Sequence, residues 1–181
     1  MMRKEAYELL VQRLKNKNLF KHCLAVEACL RKLAQRFGED EESWGIAGLL
    51  HDIDYEETEG DPARHGLEGA MFLQSLGIDE VIVRAVKAHS GHLGPSSKLD
   101  WALFSADPLT GLIVAGALMH PEKKLSALDV DFVLRRFKEK RFAAGANREQ
   151  ITACKNVGLE LEQFVQICLE SMQGIAEDLG L

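Results

Sequence analysis

Apolar residues recur at intervals of three and four along nearly the whole chain and nowhere alternate over a useful length. That pattern confines the fold to helices packed on helices. Ala6, Leu9, Leu10 and Leu14 share one stripe, and Leu19, Val26, Leu30 and Leu33 share the next. Gly38 is placed to end the second helix, and Asp40 to cap a third that runs to about His51. The acidic stretch 54–61 reads as a loop. Pro62 then starts a helix reaching Leu76, with Gly77 as its stop. Asp79 caps a helix ending near Ser90, and "GHLGPSS" at 91–97 is a turn region. One long helix, or two in sequence, covers 98–119, and shorter ones follow over 129–138 and 148–157. A last amphipathic one, Glu160–Leu179, turns Leu161, Phe164, Val165, Cys168, Leu169, Met172 and Ile175 inward. The expectation is an all-α bundle of roughly eight to ten helices. It forms a single domain over 1–181, a length that buries a sizeable core.

The imidazoles are where this pattern becomes chemically specific. Of six histidines, four fall on apolar faces of separate helices: His22, His51, His65 and His89. The segment "GLLHDIDYEE" is built for a core, yet it ends in His51-Asp52, and Asp107 sits among Leu103, Phe104 and Gly111. A lone histidine on an apolar face is ordinarily a core residue with a hydrogen-bond partner. Four such imidazoles and two core carboxylates would each need a separate partner, because a buried carboxylate without one costs several kcal/mol or takes up a proton. One shared divalent cation satisfies all six. The donor set mixes nitrogen and oxygen without thiolate. It therefore suits Mn, Fe, Co, Ni or Zn with an open position, or Mg, rather than a closed structural zinc site.

The order His22, then His51-Asp52, then Asp107 resembles the HD-domain superfamily of metal-dependent phosphohydrolases. "KHCLAVEACLRKLAQRFG" and "WGIAGLLHDID" are similar to the family's opening. "RHGLEGAMFL", "AVKAHSGHLG" and "LFSADPLTGLI" are similar to the next blocks of its HDIG-like, two-metal branch, which includes bacterial diadenosine tetraphosphate hydrolases. The resemblance covers about 18–115, with the helices of 129–181 packed on that core. It implies a first ion held by His22, His51, Asp52 and Asp107. It implies a second held by His65 and His89, with Asp52 bridging. The branch often continues the dipeptide with glycine and lysine, whereas this chain reads His51-Asp52-Ile53-Asp54-Tyr55 and lacks that lysine. Pro108 gives Asp107 a second reading, as a helix N-cap.

The reaction so implied is hydrolysis of a phosphate ester of a nucleotide or another small molecule, with Asp52 at the catalytic centre. A phosphate needs cationic neighbours, and Lys87 beside His89 and Arg64 beside His65 are the candidates. The basic stretch "RRFKEKRFAAGANREQI", with Lys138, Lys140, Arg141 and Arg148, reads either as a phosphate grip folded over the site or as a solvated face. His92 reads either as lining the site or as an exposed loop residue, His120 as serving the last carbonyls of its helix, and Asp54, Glu56, Glu57 and Glu59 either as relaying protons or as a solvated acidic loop. Two other functions fit the same ligand set: a di-iron oxygenase, and a metal-loaded domain that senses a ligand without turnover.

The formal charge of -6 argues against nucleic acid as a partner. The apolar run Leu109–Met119 is shorter than the about 20 residues a bilayer requires, so no membrane partner is expected. No signal peptide is visible. Cys23, Cys29, Cys154 and Cys168 form no CxxC pair and read as reduced structural thiols of a cytoplasmic protein. A homodimer is compatible with all of this.

Overall fold

Two long helices organise the molecule, α2 (Lys17–Phe37) and α7 (Lys98–Met119), and they pack on each other. The computed structural model describes all residues, 1–181, and every regular element in it is helical. α1 (Arg3–Arg13) and α3 (Glu41–Leu50) lie together, and α3 also lies along α2. α4 (Tyr55–Thr58) is a single turn. α5 (Leu67–Ser75) and α6 (Glu80–His89) pair, and α6 leans on α3 and α7. α8 (Val130–Lys138), α9 (Arg148–Thr152) and α10 (Leu161–Gln173) close the far side against α7, α10 also meeting α2, and α11 (Ala176–Leu179) returns to α2. One continuous apolar core of 43 buried residues runs from Ala6 to Leu179. All four cysteines are free and buried in it.

The helix ends follow local chemistry. Asn16 accepts from the N–H groups of Asn18 and Leu19 to start α2, and Gly38 ends it at φ 68°. Asp40 caps α3 and Asp79 caps α6. α7 starts at Ser97, whose hydroxyl accepts from Asp100 N–H, and continues unbroken past Pro108. Asp107 is therefore mid-helix, which sets aside its reading as an N-cap and leaves both carboxylate oxygens free.

Other sequence-based expectations change for physical reasons. The acidic loop contains α4. Glu57 pairs with Arg13 at 2.7 Å, and Glu56 accepts from the N–H groups of Lys15 and Asn16. These contacts latch the segment to the α1–α2 junction, while Glu56, Glu57 and Glu59 stay exposed to solvent. Pro62 does not start α5, which begins only at Leu67 after a run of turns. The last helix divides at Gly174–Ile175 into α10 and α11. α7 has 22 residues and is long and apolar enough to cross a membrane, which corrects the length argument made from Leu109–Met119. More than half of its apolar window is buried inside the protein, and it serves as the core helix.

Gly48 fixes how closely α3 approaches α2. A Cβ there would stand 2.9 Å from the backbone nitrogen of Glu27 and 3.0 Å from its Cα. Backbone cannot yield as a side chain does. Gly48→Ala is expected to destabilise the fold by about 1–3 kcal/mol. In thermal unfolding, Tm should fall by about 2–4 °C for each kcal/mol. An unchanged Tm would contradict the close packing.

Candidate metal centre

Five separate segments deliver side chains to one point. His22 comes from the first turns of α2, His51 from the C-terminal end of α3, and Asp52 from the turn that follows. His65 comes from the turn before α5, His89 from the last residue of α6, and Asp107 from the middle of α7. Two of these placements depend on a break in the helix. Asp52 follows α3's end, where the chain turns, so it faces inward beside its neighbour His51. His65 is presented by Gly66 at φ 74°, and a Cβ on Gly66 would stand 2.2 Å from the Ser90 hydroxyl oxygen. Only glycine combines that backbone with that clearance.

Asp52 is the centre. Its Oδ1 lies 3.4 Å from Nε2 of His51, of His65 and of His89, and its Oδ2 lies 3.6 Å from Nε2 of His22. Asp107 Oδ1 is 3.0 Å from His22 Nε2 and 3.8 Å from His51 Nε2. The Nε2 atoms of His22 and His51 approach to 3.2 Å, as do those of His65 and His89. Two overlapping groups, His22–His51–Asp107 and His51–Asp52–His89, each bring one ligand atom per residue within 4.8 Å of the others. His51, Asp52 and His89 are buried, while His22 and Asp107 are half-exposed and leave one side open.

The outer nitrogen of each imidazole is tied down. His51 Nδ1–H donates to the Gly48 carbonyl at 2.8 Å, and His89 Nδ1–H donates to the Val86 carbonyl. His65 Nδ1–H donates to Asp54 Oδ1 at 3.1 Å. Thr110 gives its own hydrogen to the Asp107 carbonyl at 2.9 Å, so its oxygen accepts from His22 Nδ1–H at 3.2 Å. All four rings are thus held with Nε2 pointing inward, the arrangement that fixes tautomer and aim in metal-ligating histidines.

The electrostatics lead to the same place. Asp52 and Asp107 find only imidazoles within ion-pair distance, with no lysine or arginine. Burial pushes His51 down to about 4, so it stays neutral near pH 7. Burial also opposes ionisation of Asp52, but the imidazoles of His51, His89 and His22 overcome it and hold the carboxyl below its usual range. Asp107 is likewise held down against burial by its bond to His22. His22 and His89 are burdened by burial yet raised by Asp107 and Asp52 respectively. Two adjoining anions, one buried and one half-exposed, are compensated here either by protons drawn onto imidazoles or by a cation. One divalent cation neutralises both carboxylates and leaves every ring neutral, so the donor set fits such an ion.

The remaining expected residues lie elsewhere. Arg64 is exposed and pairs with Glu68 at 2.6 Å. Lys87 lines a separate cavity of about 200 Å³ with Met71 and Arg84, because two helical positions from His89 turns it to another face. Neither is brought to the cluster. Arg148 does not face it either. Its guanidinium donates to the carbonyls of Phe137, Glu139, Phe142, Ala143 and Ala146, and so organises the loop between α8 and α9, while Lys138, Lys140 and Arg141 are exposed. His92 donates to the His65 carbonyl at 3.0 Å, and His120 accepts from Glu122 N–H beyond the end of α7.

Two residues hold the imidazoles in a way the sequence reading does not announce, Asp54 standing only among the acids of its loop and Thr110 not at all. Asp54 is buried and accepts from His65 and from the N–H groups of Gly66 and Gly69, at 2.7 Å each for the last two. Thr110 supports His22. Its spacing of three from Asp107 on a helix is a signal visible in the sequence.

Comparison with known proteins finds matches over the stretch that carries these residues. The HD domain family matches residues 19–112, just over half of the chain. An uncharacterized protein of Methanocaldococcus jannaschii is 28% identical over 151 residues, covering 78% of this chain and 86% of that protein. Ribonuclease Y 2 of Levilactobacillus brevis is 34% identical over 98 residues, 52% of this chain but 18% of the relative. Ribonuclease Y of Nitratidesulfovibrio vulgaris is 25% identical over 167 residues, 91% of this chain and 32% of the relative. The chain thus spans a third or less of the ribonuclease Y sequences it matches. No solved structure matches it. With a family match over more than half of its length, the chain belongs to the HD domain family, whose members are mostly metal-dependent hydrolases.

Proposed function

We propose that this protein is a metal-dependent phosphohydrolase acting on a nucleotide or another small phosphate ester, with His22, His51, Asp52, His65, His89 and Asp107 as the ligands of one or two divalent ions. One observation carries the reading: four imidazoles from four segments converge on Asp52, Asp107 meets two of them, and no basic side chain balances the two carboxylates. When bound, a divalent ion lowers the pKa of a coordinated water toward about 7 and draws charge from phosphoryl oxygens. The chain's own contribution is orientation. Gly48, Val86, Asp54 and Thr110 hold the four rings, and burial of His51 and His89 keeps bulk water off the inner side. Substrate approaches from the open side, past His22 and Asp107, where a cavity of about 350 Å³ adjoins both.

RNA is the second reading, and its support is the 30–34% identity to ribonuclease Y over about half of the chain. The net charge of -6 disfavours it. Purified protein with Mn²⁺ is to be assayed on p-nitrophenyl phosphate, a nucleotide panel and an RNA oligonucleotide. The expected result is metal-dependent release of phosphate from a small ester, abolished by EDTA, with RNA intact. Absence of any metal-dependent release would overturn the proposal, and preferential RNA cleavage would establish the alternative. His65→Ala is expected to lower metal content by one ion at most and leave His22, His51 and Asp107 loaded. Metal analysis of the purified variant checks this, and complete loss would contradict the division of ligands.

A further inference from the structure

Gly111 is out of place by the usual rules of helix composition. It sits in the interior of the 22-residue α7, on the surface, where alanine would serve better. No tight packing requires it, since a Cβ there would meet nothing within 4 Å. What it borders is open space on two sides. Toward the loop between α8 and α9 lies the cavity of about 350 Å³ walled by Ala143, Gly145 and Ala146 and adjoining Asp107. Toward the other end of α7 lies a second cavity of about 360 Å³, walled by Val114, Leu118 and Leu179 with Asn18 and Lys21 at its polar edge. His22 and Gly111 line both.

Resting on the reading of the metal centre given above, we propose that Gly111 is the floor of one continuous substrate groove. The phosphoryl end lies at Asp107 and His22. The organic body passes over Gly111 into the second cavity. The groove therefore selects organic phosphates with an apolar body over inorganic phosphate. The wall chemistry supports that class. Alanine, glycine, valine and leucine line the groove, Leu118 is 53% exposed, and the combined space falls in the range of small-molecule sites. Lys21 and Asn18 offer polar contacts to a substituent at the far end. Arg148 holds the loop wall by donating to the carbonyls of Ala143 and Ala146.

The test is calorimetric titration of the Mn²⁺-loaded full chain with inorganic phosphate and with 1-naphthylmethylphosphonate, which has no ester bond to hydrolyse. Wild-type protein is expected to bind the naphthyl phosphonate about tenfold more tightly or better, from burial of the ring. Gly111→Ala should reduce that ratio, and Gly111→Leu should bring it close to one. Both variants should keep their manganese and melt no lower than wild type, so the loss cannot be misfolding. Equal binding of the two probes by wild type, or an unchanged ratio in Gly111→Leu, would overturn the groove. Failure of wild type to bind either probe would instead overturn the underlying reading of the metal centre.

Discussion

Asp52→Ala is expected to remove divalent metal and to lower metal-dependent phosphate release on the order of a thousandfold or more. The reason is its place in the cluster. One of its oxygens stands 3.4 Å from three imidazole nitrogens, and the other faces a fourth. No other carboxylate reaches His65 and His89 from that side, because Asp54 is on their outer face, holding His65 Nδ1. The effect on stability separates this from ordinary damage to a core. Removing Asp52 removes a buried anion along with its partners' need to carry protons, so the metal-free variant should melt close to metal-free wild type. Metal makes the difference. At a hundredfold excess over its dissociation constant, Mn²⁺ should stabilise wild type by about 2.7 kcal/mol and the variant not at all. Thermal melts with and without Mn²⁺, beside metal content and activity, check all three. A variant that keeps its metal at wild-type stoichiometry would refute the role given to Asp52.

Asp54→Ala should behave in the opposite way and unfold the protein more readily whether or not metal is present. Asp54 is 3% exposed and accepts three hydrogen bonds, from His65 Nδ1–H and from the backbone of Gly66 and Gly69. Those bonds, with the imidazole of His65, hold its carboxyl below the usual range although burial opposes it. Alanine leaves two buried N–H groups without an acceptor, each costing about 1–3 kcal/mol. It also releases the turn that aims His65. The expected result is a loss of about 2–5 kcal/mol in denaturant unfolding. Metal affinity at the His65–His89 side should weaken by about 10–100-fold, as for other groups that orient a ligand. Wild-type stability together with wild-type metal affinity would contradict this role.

The helical class and most helix ends were legible because they depend on neighbours in sequence. Asp40, Asp79, Gly38 and Gly77 act within a turn of where they stand. The breaks that escaped depend on distant partners. Asp54 reaches forward to Gly66 and Gly69 and thereby delays α5 beyond Pro62, which no local pattern announces. The convergence of His22, His51, Asp52, His65, His89 and Asp107 was legible because imidazoles and carboxylates on apolar stripes must meet something inside. The cationic groups were harder to place. Arg64 and Lys87 stand close to His65 and His89 in sequence, but neighbours on a helix or turn face different ways. Arg64 also had Glu68 four residues on, the spacing of a helical ion pair. Arg148 illustrates the same limit, since its carbonyl partners exist only once the loop from Phe137 to Ala146 has folded around it.

Anomalous diffraction from crystals grown with Mn²⁺, collected at the manganese edge, tests the metal centre most directly. A peak is expected inside the cage formed by Asp52, Asp107 and the inward nitrogens of His22, His51, His65 and His89. Manganese absent from that cage, with water or protons alone joining the four rings, would contradict it.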